Sequence, residues 1–207
     1  NPYPNNVEAF TREIGLPSAV IHEDWCRLVS HSPDLQNRIL AAVLYHANSN
    51  DYAQCSSVIE RLSQAQKNEL IKTVFSTRDR FTAPLRELEH STFTFDIFAD
   101  QGAWYEVKRH RMLTLTTQPF TPALGFTLPK VIDQAGCRKE YEELMNDCAE
   151  LYPKLENVAA GIGSYILPNA FKRRFLITTN LRSAIHFINL RSAPNAHFSV
   201  RRLARRM

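Results

Sequence analysis

Apolar positions fall at helical spacing in the first third of the chain. Pro33-Asp34 opens a helix to about His46, with Ile39, Leu40, Val43 and Leu44 three or four apart. Ser49-Asn50-Asp51 breaks it, and a second helix covers Tyr52–Leu62. Ser63 followed by Gln66 forms a capping box for a third, whose apolar face is Leu70, Ile71, Val74 and Phe75. The first six residues hold three Asn and two Pro, so residues 1–16 are expected to form an irregular arm.

The period changes near His90. Residues 91–97 alternate with period two and are rich in β-formers, which predicts a strand. A helix is expected over Gln101–Arg111 and a second strand over 112–117. Pro119, Pro122 and Pro129 make the next segment a loop. Cys137–Leu151 is an amphipathic helix, acidic on its outer face. Ala159–Ser164 is small and expected to pack closely. A strand follows over Phe171–Thr179. A helix then covers Leu181–Leu190 with Asn180 as N-cap, and a short basic helix covers Ala196–Arg206. A helical N-terminal part followed by mixed strands and helices gives an α/β (α+β) class. At 207 residues, a single domain over 1–207 is expected, and the abrupt basic end raises the possibility of a piece of a longer chain.

Apolar residues make up 44% of the chain and charged residues 22%, which excludes a disordered or fibrous protein. No apolar run approaches the ~18 residues of a membrane span, so no membrane role is expected. The four cysteines lie far apart without a CxxC pair, which argues against a metal site and for reduced core thiols in the cytoplasm. The net charge of +4 hides an asymmetry. All 21 acidic residues precede Asn157, leaving that part at −5, whereas the last 51 residues carry nine Lys/Arg and no acid. Such a segment needs an acidic counter-surface or an anionic ligand.

Two segments carry candidate chemistry. Lys108-Arg109-His110-Arg111 places cationic groups in a row between a helix and a strand, suited to phosphate or pyrophosphate. An exposed basic turn is the bland alternative. In the second, Asn180 to Arg191, the side chains of Arg182, His186 and Asn189 lie within about 60° on a helical wheel. The residues around them are apolar nearly all round, so the helix and its polar stripe are expected to be buried. A buried stripe needs either a structural carboxylate or a ligand.

Together the Arg109-His110-Arg111 motif and the block Asn180-x-Arg182-Ser183-x-x-His186-Phe187-x-Asn189-Leu190-Arg191 resemble the flavin-dependent thymidylate synthase family. Weaker similarities lie in Glu89-His90 before the first strand, Leu167-Pro168 and the last helix. The resemblance implies that family's fold, a central, mainly antiparallel sheet beside helices, and a homotetramer with FAD where subunits meet. It implies reductive methylation of dUMP to dTMP, with methylenetetrahydrofolate as carbon donor and NADPH as reductant. On that basis Arg109, His110, Arg111, Asn180, Arg182 and His186 would bind FAD. Arg109 and Arg191 would bind dUMP, with Arg191 polarising the pyrimidine as the nearest thing to a catalytic residue.

Departures from the family pattern cluster on the nucleotide side. Thr114, Thr117 and Pro119-Phe120-Thr121-Pro122 replace a Ser, a Glu and a Ser-x-Arg-Tyr. Glu106 stands where a Gln is usual, Ser164 where an Arg precedes Leu-Pro, and Pro84 near a folate-side His. Weak or absent dUMP binding is therefore expected, with Glu106 pairing to Arg109. Whether the chain is an enzyme stays open between an active synthase with a variant pocket and a non-catalytic or altered-substrate member. The latter would serve as a structural or partner unit completed by a second domain or by another copy. A nucleic-acid-binding domain is the remote third reading, because the late aromatics look like core.

Overall fold

The computed structural model of the protein describes residues 5–17, 23–76, 79 and 82–207. The elements in chain order are α1 (Asn5–Glu13), β1 (Cys26–His31), α2 (Leu35–Ala47), α3 (Tyr52–Arg61), α4 (Gln64–Ser76), β2 (Thr92–Asp100), α5 (Gln101–Val107) and β3 (Thr114–Thr117). They continue with α6 (Lys130–Gln134), α7 (Arg138–Glu156), β4 (Lys172–Asn180), α8 (Leu181–Arg191) and α9 (Phe198–Arg206). Short 3-10 turns cover Arg86–His90, Pro122–Leu124 and Ile162–Ile166. The four strands form one antiparallel sheet in the order β1-β2-β4-β3. The mixed class and the antiparallel sheet are as expected.

Local chemistry accounts for most boundaries. Asp51 caps α3: its carboxylate accepts the Gln54 N–H at 2.8 Å, and Gln54 Oε1 accepts the Asp51 N–H at 3.1 Å. Ser63 and Gln66 exchange the same pair of bonds at the start of α4. Leu40, Ala41, Cys55 and Ile59 form a buried cluster between α2 and α3, with Leu70 and Ile71 of α4 packed against it. Val74 and Phe75 stay half-buried.

The principal core lies between the sheet and α5, α8 and α9. Ile97, Phe175, Ile177, Val107, Phe187, Val200 and Leu203 are each at most 1% exposed there. Asp100 joins two of these helices at their starts. Its Oδ1 accepts the Ala103 N–H at 2.8 Å, capping α5, and its Oδ2 accepts the Ser199 hydroxyl of α9. Both side chains are buried. A third cluster joins Met145 and Cys148 of α7 to Leu167 and Phe171. Gly163 is required beside it, because a Cβ there would stand 2.8 Å from the Tyr152 carbonyl oxygen and from Glu156 Cγ and Oε1. The close packing expected for residues 159–164 is confined to Gly163 and the half-buried Ser164; residues 159–162 are exposed.

Four expectations need correction. Residues 5–13 of the expected irregular arm are α1; residues 1–4 lie outside the described residues. Two residues of the Pro/Asn cluster, Asn5 and Asn6, lie inside this helix, and Val7, Phe10 and Ile14 fall at helical spacing. The helix expected to reach Arg111 ends at Val107. His110 turns inward to meet the Phe187 ring edge-on at 4.9 Å, and the His110 N–H bonds back to the Val107 carbonyl.

The third correction concerns α8, which is not buried all round. Ala184 and Phe187 face the core, but His186, Asn189 and Leu190 are exposed, so the stripe borders solvent. Apolarity on every side of this helix reflects a core on one face and a cavity wall on another. Fourth, the thiols are not uniformly interior. Cys26, Cys55 and Cys148 are buried, whereas Cys137 is exposed; all four are free. Burial pushes the Cys26 thiol up to about 11, with Asp24 adding to the rise and Arg206 opposing it.

Candidate functional site

The sheet order brings the two candidate segments together. Strand β4 runs into α8, while α5 and the turn after it lead into β3, which pairs with β4. Asn180 ends β4 and caps α8 through its side-chain oxygen, which accepts the Ser183 N–H at 2.8 Å. The result is an open cavity of about 740 Å³ between α8, residues 109–113 and residues 82–84. Its described lining contains Arg109, Arg111, Arg182 and Arg191, together with His110 and His186, and no carboxylate. Met112, Leu113, Ile185 and Leu190 supply apolar wall. Asn180 does not itself line the cavity.

Each cation has a distinct environment. Arg182 is fixed from behind: its Nε donates to the Pro84 carbonyl at 2.9 Å and its Nη1 to Glu89 at 2.8 Å. Arg191 is bound still more tightly. Its Nη1 donates to Glu106 Oε2 at 2.6 Å and its Nε to His110 Nε2 at 2.8 Å. The second Glu106 oxygen lies 3.3 Å from Arg109 Nη2, which is as expected from their spacing of three. Arg109 is otherwise 67% exposed at its side chain. Arg111 is exposed, and His186 stands 6.0 Å from the His110 ring.

The His110 bond has an electrostatic consequence. A ring nitrogen that accepts from a guanidinium carries no proton, so His110 is neutral with its proton on Nδ1. Burial is the main force holding its pKa below the usual 6.5. The Arg191 and His186 charges add to the fall, and Glu106 opposes it.

Sequence reasoning located both segments and the Glu106–Arg109 pair. It did not find Glu89 or the Pro84 carbonyl as partners of Arg182, nor Glu106 as the partner of Arg191. Contacts across 93 and 85 residues leave no local signature. Nor did it find Arg173, whose guanidinium lies 5.2 Å from the Trp104 ring and 5.6 Å from that of Phe120. Arg173 bonds Gln101 Oε1 at 3.1 Å and the Gln118 carbonyl at 2.9 Å. Among the described residues no three metal-capable side chains cluster, and no helix is long and apolar enough to cross a membrane. Of the late aromatics read as core, Phe171, Phe175 and Phe187 are buried, whereas Phe198, at the start of α9, is 44% exposed.

Comparison with known proteins bears on this arrangement. A UPF0159 protein of Thermoplasma acidophilum is 29% identical over 196 residues, which is 87% of this chain and 37% of that protein. A UPF0159 protein of Chlamydia muridarum is 28% identical, over 96% of this chain and 38% of its own length. The chain thus spans less than two-fifths of these relatives. A flavin-dependent thymidylate synthase of Geobacter sulfurreducens is 28% identical over 86% of this chain and 77% of its own.

Two solved structures share the fold, each at 18% identity. The flavin-dependent thymidylate synthase ThyX of Helicobacter pylori, complexed with FAD and dUMP, has a TM-score of 0.62, covering 87% of this chain and 90% of that one. The UMP/dUMP methylase PolB of Streptomyces cacaoi, bound with 5-Br dUMP, has a TM-score of 0.69, covering 88% and 87%. The family model described as "Thymidylate synthase complementing protein" matches residues 27–207. The chain therefore belongs to the thymidylate synthase complementing protein family, and is ThyX-like.

Proposed function

We propose that this chain is a ThyX-type unit that holds a flavin dinucleotide in the cavity beside α8 and has an impaired dUMP site. The observation that carries the reading is the composition of that cavity wall: four arginines and two histidines with no carboxylate among the described lining residues. The residues fit a flavin dinucleotide. Arg109, Arg111 and His186 offer donors at the solvent side, where a pyrophosphate could be met. Met112, Leu113, Ile185 and Leu190 offer apolar surface for a ring, and the volume lies within the range of ligand pockets.

Arg182, held by Glu89 and Pro84, is pre-oriented toward the cavity. Asn180 contributes by fixing the start of α8, and His110 by packing the turn onto Phe187. When bound, FAD supplies the redox chemistry that no side chain here possesses. Arg191 would orient and polarise a pyrimidine if released from Glu106.

The reaction to dTMP, with methylenetetrahydrofolate and NADPH, is assigned to an assembly rather than to this chain alone. The chain spans less than two-fifths of the first two relatives described. This favours one domain over 1–207 completed by a second domain of a longer chain or by further copies, a homotetramer being the family arrangement. The basic C-terminal segment would face the acidic remainder of a neighbour, and the setting would be cytoplasmic.

The test is purification of the chain and analysis of flavin released on denaturation. Arg111 makes no ion pair among the described residues, so Arg111→Ala should lose flavin at an unchanged thermal midpoint. Flavin absent from the wild type, even after incubation with FAD, would overturn the cofactor reading. Tritium release from 5-labelled dUMP should be negligible for the chain alone; turnover would overturn the impaired-site reading.

A further inference from the structure

We infer that Glu106 is a specificity-determining residue that closes this cavity to nucleotide monophosphates by occupying Arg191. The inference rests on the cavity being an anion site, as proposed above. Arg191 lines the cavity from the last turn of α8, yet its guanidinium is already paired with a carboxylate. Glu106 Oε2 accepts from Nη1 at 2.6 Å, His110 accepts from Nε at 2.8 Å, and the Glu106 carbonyl lies 3.5 Å from Nη2. The side chains of Arg191 and Glu106 are only 17% and 21% exposed, so water screens the pair weakly. The other oxygen of the same carboxylate reaches Arg109. One acidic group thus ties two of the four arginines around the cavity.

An incoming phosphate or ring carbonyl meets a guanidinium whose charge Glu106 already neutralises and whose Nε and Nη1 are already donating, so it gains less from Arg191 than from a free arginine. The groups facing Glu106 are Arg109 on its own side, His110 in the turn and Arg191 on α8, with His186 behind His110. None is an acid that could take over the arginine once Glu106 is neutralised. Arg111 and His186 lie outside the closed set. The wild-type cavity therefore suits a ligand with its anionic end near Arg111 and an uncharged edge toward Arg191.

Glu106→Gln removes the charge and keeps the shape. Isothermal titration with dUMP should show binding at least tenfold tighter than in the wild type, with inorganic pyrophosphate as a second anion probe. The gain should vanish in Glu106→Gln/Arg191→Ala. Unchanged dUMP affinity in a folded Glu106→Gln protein overturns the inference, as does a gain that survives loss of Arg191. Should the variant not fold, the wild type still decides. Phenylglyoxal labelling read by mass spectrometry should modify Arg111 and spare Arg191, and equal rates would overturn the closed arrangement. Flavin retained without a dUMP gain refutes this inference alone. No anion bound by any variant refutes the anion-site reading with it.

Discussion

Replacing Asp100 by Ala should destabilise the protein by about 2–4 kcal/mol through two separable losses. Asp100 is the N-cap of α5, and removing a capping carboxylate costs ~1 kcal/mol. It is also the acceptor of the Ser199 hydroxyl, and that side chain is only 8% exposed. A buried hydroxyl left without a partner costs about 1–3 kcal/mol. At roughly 2–4 °C per kcal/mol for a chain of this size, the melting midpoint should fall by about 4–16 °C. The double variant Asp100→Ala/Ser199→Ala removes the orphaned hydroxyl, so it should regain roughly 1–2 kcal/mol over the single variant. Urea unfolding measures the free energies and thermal unfolding the midpoint, each followed by circular dichroism. A loss under 1 kcal/mol in the single variant, or a double variant no more stable than it, would refute the proposed coupling of the starts of α5 and α9.

Further outcomes follow from other parts of the molecule. His110 has a folded pKa below its unfolded value, so the unfolded chain takes up that proton first as pH falls. The stability from neutral His110 should be complete above pH ~6.5 and decline below it, and His110→Gln should flatten the dependence between pH 7 and 5. Native protein should give one fast equivalent with 5,5′-dithiobis(2-nitrobenzoate) at pH 8, from Cys137, and four after denaturation; a fast second equivalent would contradict the burial of Cys26, Cys55 and Cys148. Gly163→Ala should cost about 1–3 kcal/mol by driving a methyl into the Tyr152 carbonyl and the Glu156 side chain, measured by the same urea titration.

The legible parts of the sequence were those governed by neighbours. The capping box at Ser63, the Asn180 cap and the period-two run in β2 each express a local preference, and each is present. The limits came where one signal served two structures. The Pro/Asn cluster at the start suits a coil and a helix start equally. On α8, Leu190 and Phe187 look alike in sequence, but one is 49% exposed at the cavity and the other is fully buried. Glu106 with Arg109 was readable because three residues separate them. Glu106 with Arg191 was not, because the fold alone brings β4 and its helix back beside α5.

The adjacency of β3 and β4 has an architectural consequence. Everything between Thr117 and Lys172 leaves one strand and returns to its immediate antiparallel neighbour, so this stretch is an enlarged hairpin loop. Its apolar centre, from Phe120 to Phe171, is made wholly of its own residues. Its backbone ties to α5 are the Gln101 and Gly102 N–H groups, which donate to the Phe171 and Asn169 carbonyls. The excursion is thus a module hung on two strands whose register the sheet already sets. Its length and surface are free to diverge, or to be exchanged by an engineer, while the strand that delivers α8 and the turn that delivers His110 keep their places.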